Sequence, residues 1–130
     1  MSVTHITVGN IRRIALTLTA DASGAFAMVT LPTFEGTLLS LRSGDDPWIG
    51  VAPPANWSVE IFDQHGLDLL ETVGVNRSAS TAQGTVIRFA GKDLHPVVTE
   101  MDTLRLKISG NVVPYATIPI TLIYATGYAP

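Results

Sequence analysis

Cysteine is absent from this 130-residue chain, so neither disulfides nor thiolate metal sites hold the fold together. Charge is scarce as well: Asp, Glu, Lys and Arg make up 15% of the residues, against a usual share of about 25%. The eight Lys and Arg are scattered, Arg12-Arg13 being their one adjacent pair, and eleven acidic residues leave a net charge of −3. No basic patch of the kind a nucleic-acid binder carries is present. No apolar run approaches the ~18 residues needed to cross a bilayer, and the first residues lack the basic start and apolar stretch of a secretory signal. The expectation is a protein kept or assembled in a cytoplasm, with neither nucleic acid nor membrane as a partner.

The motifs of catalysis are missing too. The Gly-x-Ser-x-Gly elbow does not occur, and Ser40, Ser43, Ser78 and Ser80 lie in ordinary strand or loop contexts. His5, His65 and His95 stand far apart, with no His-x-His or His-x₃-His pair to prepare a metal site. The run from Asp63 to Asp68 sets acidic residues about a glycine, but it breaks the calcium-loop pattern: His65 stands where an oxygen ligand belongs and Gly66 arrives early. Asp45-Asp46-Pro47 reads as a turn opener. Glu35, Glu60, Glu71 and Glu100 supply carboxylates without singling out a pair, and no glycine-rich phosphate loop precedes a helix. Asn56-Trp-Ser58 and Asn76-Arg-Ser78 match glycosylation acceptors only by chance in a chain without a secretory signal. The expectation is a protein that is not an enzyme and uses no cofactor or metal.

What the chain does have is alternation. Between residues 56 and 62, Trp57, Val59 and Ile61 fall on one face and Ser58 and Glu60 on the other, the period of a half-buried strand. Ile14, Leu16 and Leu18 repeat the pattern. So do Leu104, Leu106 and Ile108 against Arg105 and Lys107, and Ile120, Leu122 and Tyr124 near the end. Further strands are predicted at residues 3–8, 26–31, 36–42 and 84–90, and residues 67–73 suit either a helical turn or a short strand. Gly9-Asn10, Asp21-Ala-Ser-Gly24 and Gly110-Asn111 supply turns, and Asp63 to Gly66 a corner, because Asp bonds its own backbone and Gly accepts positive φ. The turn at 21–24 predicts a hairpin returning through residues 26–31, since short links join antiparallel neighbours. No long amphipathic helix is legible. About eight short strands with regular turn signals predict an all-β, antiparallel β-sandwich, jelly-roll-like in plan. Residues 1–10 read as an amino-terminal arm or edge strand, and residues 11–130 as one sandwich domain.

The loop at residues 43–54 is rich in proline and glycine and has no place in the middle of a sheet. Yet it carries Trp48, Ile49 and Val51, each worth about 1.5–3 kcal/mol when buried. They either fold back over the core or dock on another chain. With Val3 and Ile6 of the amino-terminal segment, these three are the candidate interface. For Trp57 the alternating strand points to the core.

A resemblance adds to this. The strand followed by Asp63-x-x-Gly66-x-Asp68-x-Leu70 and then Gly74-x-Asn76-Arg-Ser78 resembles small proteins encoded among tailed-phage virion genes. The segment 14–20 before Asp21-Ala-Ser-Gly24, and a final strand pair about Gly110-Asn111, are similar to theirs as well. The resemblance covers residues 11–125 and departs at Val112 to Pro114 and in the loop 43–54. It implies a capsid decoration, or cement, protein on the outer surface of the virion head, assembled in the host cytoplasm. The implied partners are the major capsid protein and further copies of the chain, as a homotrimer or homodimer. A tail, baseplate or head-fibre component is the alternative within that class. A carbohydrate-binding sandwich, stacking sugars on Trp48, Tyr115, Tyr124 or Tyr128, is the alternative outside it.

Overall fold

The computed structural model describes residues 2–8, 10–44, 48–70, 77, 83–87, 96–99 and 103–126. Among them there is no helix, and the strands are β1 (Ser2–Val8), β2 (Ile11–Thr19), β3 (Val29–Thr30), β4 (Gly36–Ser43), β5 (Ser58–Phe62), β6 (Gln83–Val86), β7 (Val97–Val98), β8 (Arg105–Ser109) and β9 (Thr117–Ala125). They form two antiparallel sheets, as the alternation predicts. One runs β1-β2-β9-β4-β6, with β7 also on β4, and the other runs β3-β8-β5.

The alternation explains the layering. Ile14, Leu16 and Leu18 of β2, Ile118, Ile120, Leu122 and Tyr124 of β9, and Leu38 and Leu41 of β4 all face inward from the first sheet. Val59 and Ile61 with Trp57, and Leu104, Leu106 and Ile108, face them from the second, and all join one apolar cluster. Arg105 and Lys107 stay exposed on the outer face of β8. Tyr124 ends the inward row against Phe34, their ring centroids 4.4 Å apart. Trp57 is fully buried, as its strand position predicts.

The pairing partners depart from the hairpin expectation. β2 lies between β1 and β9, while β3 pairs with β8 in the other sheet. The turn at Asp21 to Gly24 therefore hands the chain across the sandwich instead of folding it back beside β2. Gly110-Asn111 does the same between β8 and β9. The two late strands β8 and β9 fill the middle of each sheet, so of the early strands only β1 and β2 lie beside a sequence neighbour, each other. A short strand, β7, follows Pro96 and covers the start of β4 at Gly36 and Thr37.

Pro119 sits in the central strand β9, where its missing N–H needs a reason. Its carbonyl accepts from Gly44 N at 2.9 Å, so its ring nitrogen points to the same side, just beyond the last residue of β4. The missing N–H forfeits only the reciprocal bond to Gly44 O, at the end of the ladder. The expected strand at 84–90 is seen as β6 up to Val86, residues 88–90 lying outside the described residues, as do residues 71–73 of the 67–73 segment.

Candidate functional site

Three connections meet at one end of the sandwich: 20–28 from β2 to β3, 44–57 from β4 to β5, and 110–116 from β8 to β9. Each is shaped by local chemistry and then tied to the next. Asp21 Oδ1 accepts from Ser23 N (2.8 Å), Ser23 Oγ (2.6 Å) and Ala25 N (3.0 Å), which closes the first turn. The Ser23 hydroxyl, followed by the backbone amides, holds the Asp21 carboxyl below its ordinary value. The turn is thus favoured above the ordinary carboxylate pKa and loses that support as the pH falls through the lowered one. Asn111 Nδ2 then donates to Gly24 O at 2.8 Å, and Tyr115 N to Asp21 O at 3.1 Å, joining the first connection to the third.

The proline-rich connection is tied in from its own side. Trp48 Nε1 donates to Thr117 O at 3.1 Å, and Thr117 N donates to Val51 O at 2.8 Å. Beyond the end of β4 this loop takes over as the neighbour of β9. The alternative left open by the sequence is resolved residue by residue. Trp48 is half-buried against the core and anchors the loop, whereas Ile49 and Val51 are 71% and 46% exposed. Beside them on the third connection, Val112 is 75% and Tyr115 58% exposed.

These four exposed side chains are carried on connections at this end that internal hydrogen bonds hold in place. Sequence reasoning did not place Val112 and Tyr115 in the interface; the signal was a pair of large apolar residues inside an Asn/Pro turn. Val3 and Ile6 lie elsewhere, on β1, in register with Leu16 and Arg13 respectively.

Tyr115 carries a second mark. Its φ is 56°, in the left-handed region that bulky residues avoid at a cost of about 1–2 kcal/mol. Glycine at this position removes that cost but adds unfolded-state freedom. Tyr115→Gly is therefore expected to leave the urea-unfolding free energy level or up to about 1 kcal/mol higher. A loss of more than about 1 kcal/mol would mean that the ring is kept for packing.

Asp63, Asp68 and Ser43 make local or cross-sheet hydrogen bonds. Asp63 Oδ1 accepts from His65 N (2.8 Å) and Leu67 N (2.9 Å), and Asp68 Oδ1 from Leu70 N (3.0 Å), so this corner is held by its own carboxylates. Ser43 is buried and accepts from Arg77 Nε at 3.1 Å and Nη2 at 2.8 Å. Among the described residues no three His, Asp or Glu side chains gather as metal ligands. Asp45, Asp46, Glu71, Ser78, Ser80, His95, Glu100 and Tyr128 lie outside the described residues. No protein-family model, curated protein or solved structure matches the chain.

Proposed function

We propose that the chain is a virion structural protein of a tailed phage, a decoration protein that binds the assembled head shell and stabilises it. The observation that carries this reading is the apolar loop end: Ile49, Val51, Val112 and Tyr115 exposed together on connections tied to each other and to the core. Scattered exposed apolar residues are ordinary, but a group at one rigid end suits a contact with a partner. The strand pairing supports the same reading. β2 pairs with β9, β3 with β8 and β4 with β6, while isolated bridges set Trp57 opposite Arg77 and Phe62 opposite Asp68. Pairs nested in this way are what one long hairpin wound over itself would give, and they support a jelly-roll plan, which is common in capsid domains.

Mechanistically, such a protein binds the finished lattice and not its separate subunits, so mass action favours the assembled state. Many copies at symmetric positions add up modest single contacts. The partner in this reading is the major capsid protein, with self-association as a dimer or trimer. A carbohydrate-binding role is less well supported, because Tyr124 is buried against Phe34 and the Trp48 N–H is occupied.

The test mixes the protein with empty heads assembled from the major capsid protein encoded beside its gene, and then sediments the heads. The protein is expected to pellet with heads and to remain in the supernatant with unassembled capsid protein. Ile49→Asp is expected to lower occupancy at least tenfold with unchanged melting, whereas Trp48→Ala lowers both, because it frees the loop. Equal pelleting of wild type and Ile49→Asp removes the loop end from the contact. A capsid gene nowhere near this one, or label on tails only, overturns the head reading.

A further inference from the structure

The first sheet ends on β1, and that edge differs from the others. β1 pairs with β2 over seven residues without a register break, from Ser2↔Thr17 to Val8↔Ile11. Its outer side is fixed by the next ladder. Asn10 O accepts from Thr126 N and Ala20 N donates to Ala116 O, both at 2.8 Å, continuing the β2–β9 register at its two ends. Even-numbered positions of β2 thus turn their backbone groups toward β9, because both groups of a residue point to one side and alternate along a strand. Odd-numbered positions turn toward β1 and meet Ser2, Thr4, Ile6 and Val8. Val3, His5 and Thr7 therefore turn their N–H and C=O outward, where no described strand lies.

Sheet edges in monomers are usually blunted by lysine, proline, bulges or shortness. The segment Ser-Val-Thr-His-Ile-Thr-Val has no lysine, arginine, acid, proline or glycine, and five of its residues are β-branched. The other edges differ. β6 is four residues long and contains Gly84, β3 is two residues long and is followed within two positions by Pro32, and β5 meets the bridges at Asp68 and Arg77. Among the described strands, β1 alone offers a long bare edge.

We propose that β1 is a homodimer interface, in which the β1 strand of a second copy adds antiparallel about a two-fold axis through His5. The occupant follows from the parity of the outward groups. A two-fold through His5 sets Val3 opposite Thr7 and His5 opposite His5, so that outward residues meet only outward residues and no donor or acceptor is left over. The flanking pairs, Ser2 with Val8 and Thr4 with Ile6, bring no charged residue types opposite each other. The contact is isologous and closes on itself, so it stops at two copies. The joined sheet runs β6-β4-β9-β2-β1 and then the same order reversed.

This pairing is independent of the head-binding reading and adds a geometric consequence to it. Strand directions reverse across the two-fold, so the apolar loop ends of the two copies point opposite ways. One dimer cannot set both ends on one flat lattice.

The experiment is sedimentation equilibrium of the full chain at tens of micromolar, with thiol cross-linking alongside. Wild type is expected at twice the 13.8 kDa protomer mass. His5→Pro removes an outward N–H and leaves the bonds to β2 in place, so it is expected to be monomeric with an unchanged circular dichroism spectrum. The chain has no cysteine of its own, so a single introduced thiol reports the register. His5→Cys places two thiols across the axis with Cα atoms about 5.5 Å apart, within disulfide reach. Val3→Cys places them about 13 Å apart along the strands. Rapid oxidation of His5→Cys to a covalent dimer, with Val3→Cys remaining monomeric, supports the proposal even if His5→Pro fails to fold. A wild-type monomer, a folded His5→Pro that stays dimeric, or equal cross-linking of the two cysteine variants overturns it. Head pelleting is read separately and stands or falls without these results.

Discussion

Replacing Arg77 with alanine is expected to cost the fold about 3 kcal/mol, the largest single effect foreseen at a polar residue. Arg77 is 1% exposed, and its backbone belongs with the second sheet: Arg77 N donates to Trp57 O at 2.7 Å and Asn56 N to Arg77 O at 2.9 Å. Its side chain crosses to the first sheet, where Nε and Nη2 reach Ser43 Oγ and Nη2 reaches Gln83 O at 2.8 Å. Ser43 and Gln83 are themselves opposite each other in the β4–β6 ladder. One residue thus fastens the two sheets where their apolar layer runs out. Burial lowers the guanidinium pKa, yet the group stays charged because its ordinary value is so high.

Truncation would leave a buried hydroxyl and a part-buried carbonyl without this donor and open a cavity as large as the side chain. In a chain of this size the loss corresponds to a fall in Tm of roughly 10 °C. Two further variants separate the causes. Arg77→Met refills the volume without donors, and Arg77→Lys keeps the charge but not the planar fork that spans Ser43 and Gln83. The expected order of urea midpoints is wild type, then lysine, then methionine, then alanine. Methionine equal to wild type would mean that the cross-sheet hydrogen bonds add nothing beyond filled space.

Arg77 also shows where the sequence stops being readable. A charged residue between Asn76 and Ser78 has the local signature of an exposed loop, and what makes it a core residue includes Ser43, 34 positions away, which no local pattern announces. The strands with one wet and one dry face were legible from the start. Leu104, Leu106 and Ile108 against Arg105 and Lys107 state both the period and the buried side. Partners were not legible, because turn chemistry is local. The Asp21 carboxylate closes its turn in the same way whether the next strand lies beside β2 or across the core. What decides is that β9 already occupies that side of β2. The proline-rich loop was half legible: it has apolar residues and no periodicity, so nothing assigned Trp48 inward and Ile49 outward until Thr117 was seen to bind the indole.

Gly24→Ala is expected to cost about 2–4 kcal/mol, more than any other substitution of so few atoms in the loop end. Gly24 has φ +86°, and a Cβ there would stand 2.7 Å from the carbonyl carbon of Val112 and 2.9 Å from its oxygen. Those are backbone atoms of the neighbouring turn, so no side chain can swing aside. The two connections must separate, and with them go the bonds from Asn111 Nδ2 to Gly24 O and from Tyr115 N to Asp21 O. Gly66 supplies the control, since its φ of +83° is nearly the same but nothing lies within 4 Å of its added Cβ. Gly66→Ala carries the cost of the left-handed backbone alone, about 1 kcal/mol. The difference between the two variants in urea midpoint, at equal slope, measures how tightly the crossing turns hold each other. Equal losses would mean that the close approach at Val112 relaxes without cost. A Gly24→Ala chain that still folds should also bind its partner less well than its stability predicts, because Val112 and Tyr115 are carried on the turn that has been pushed away.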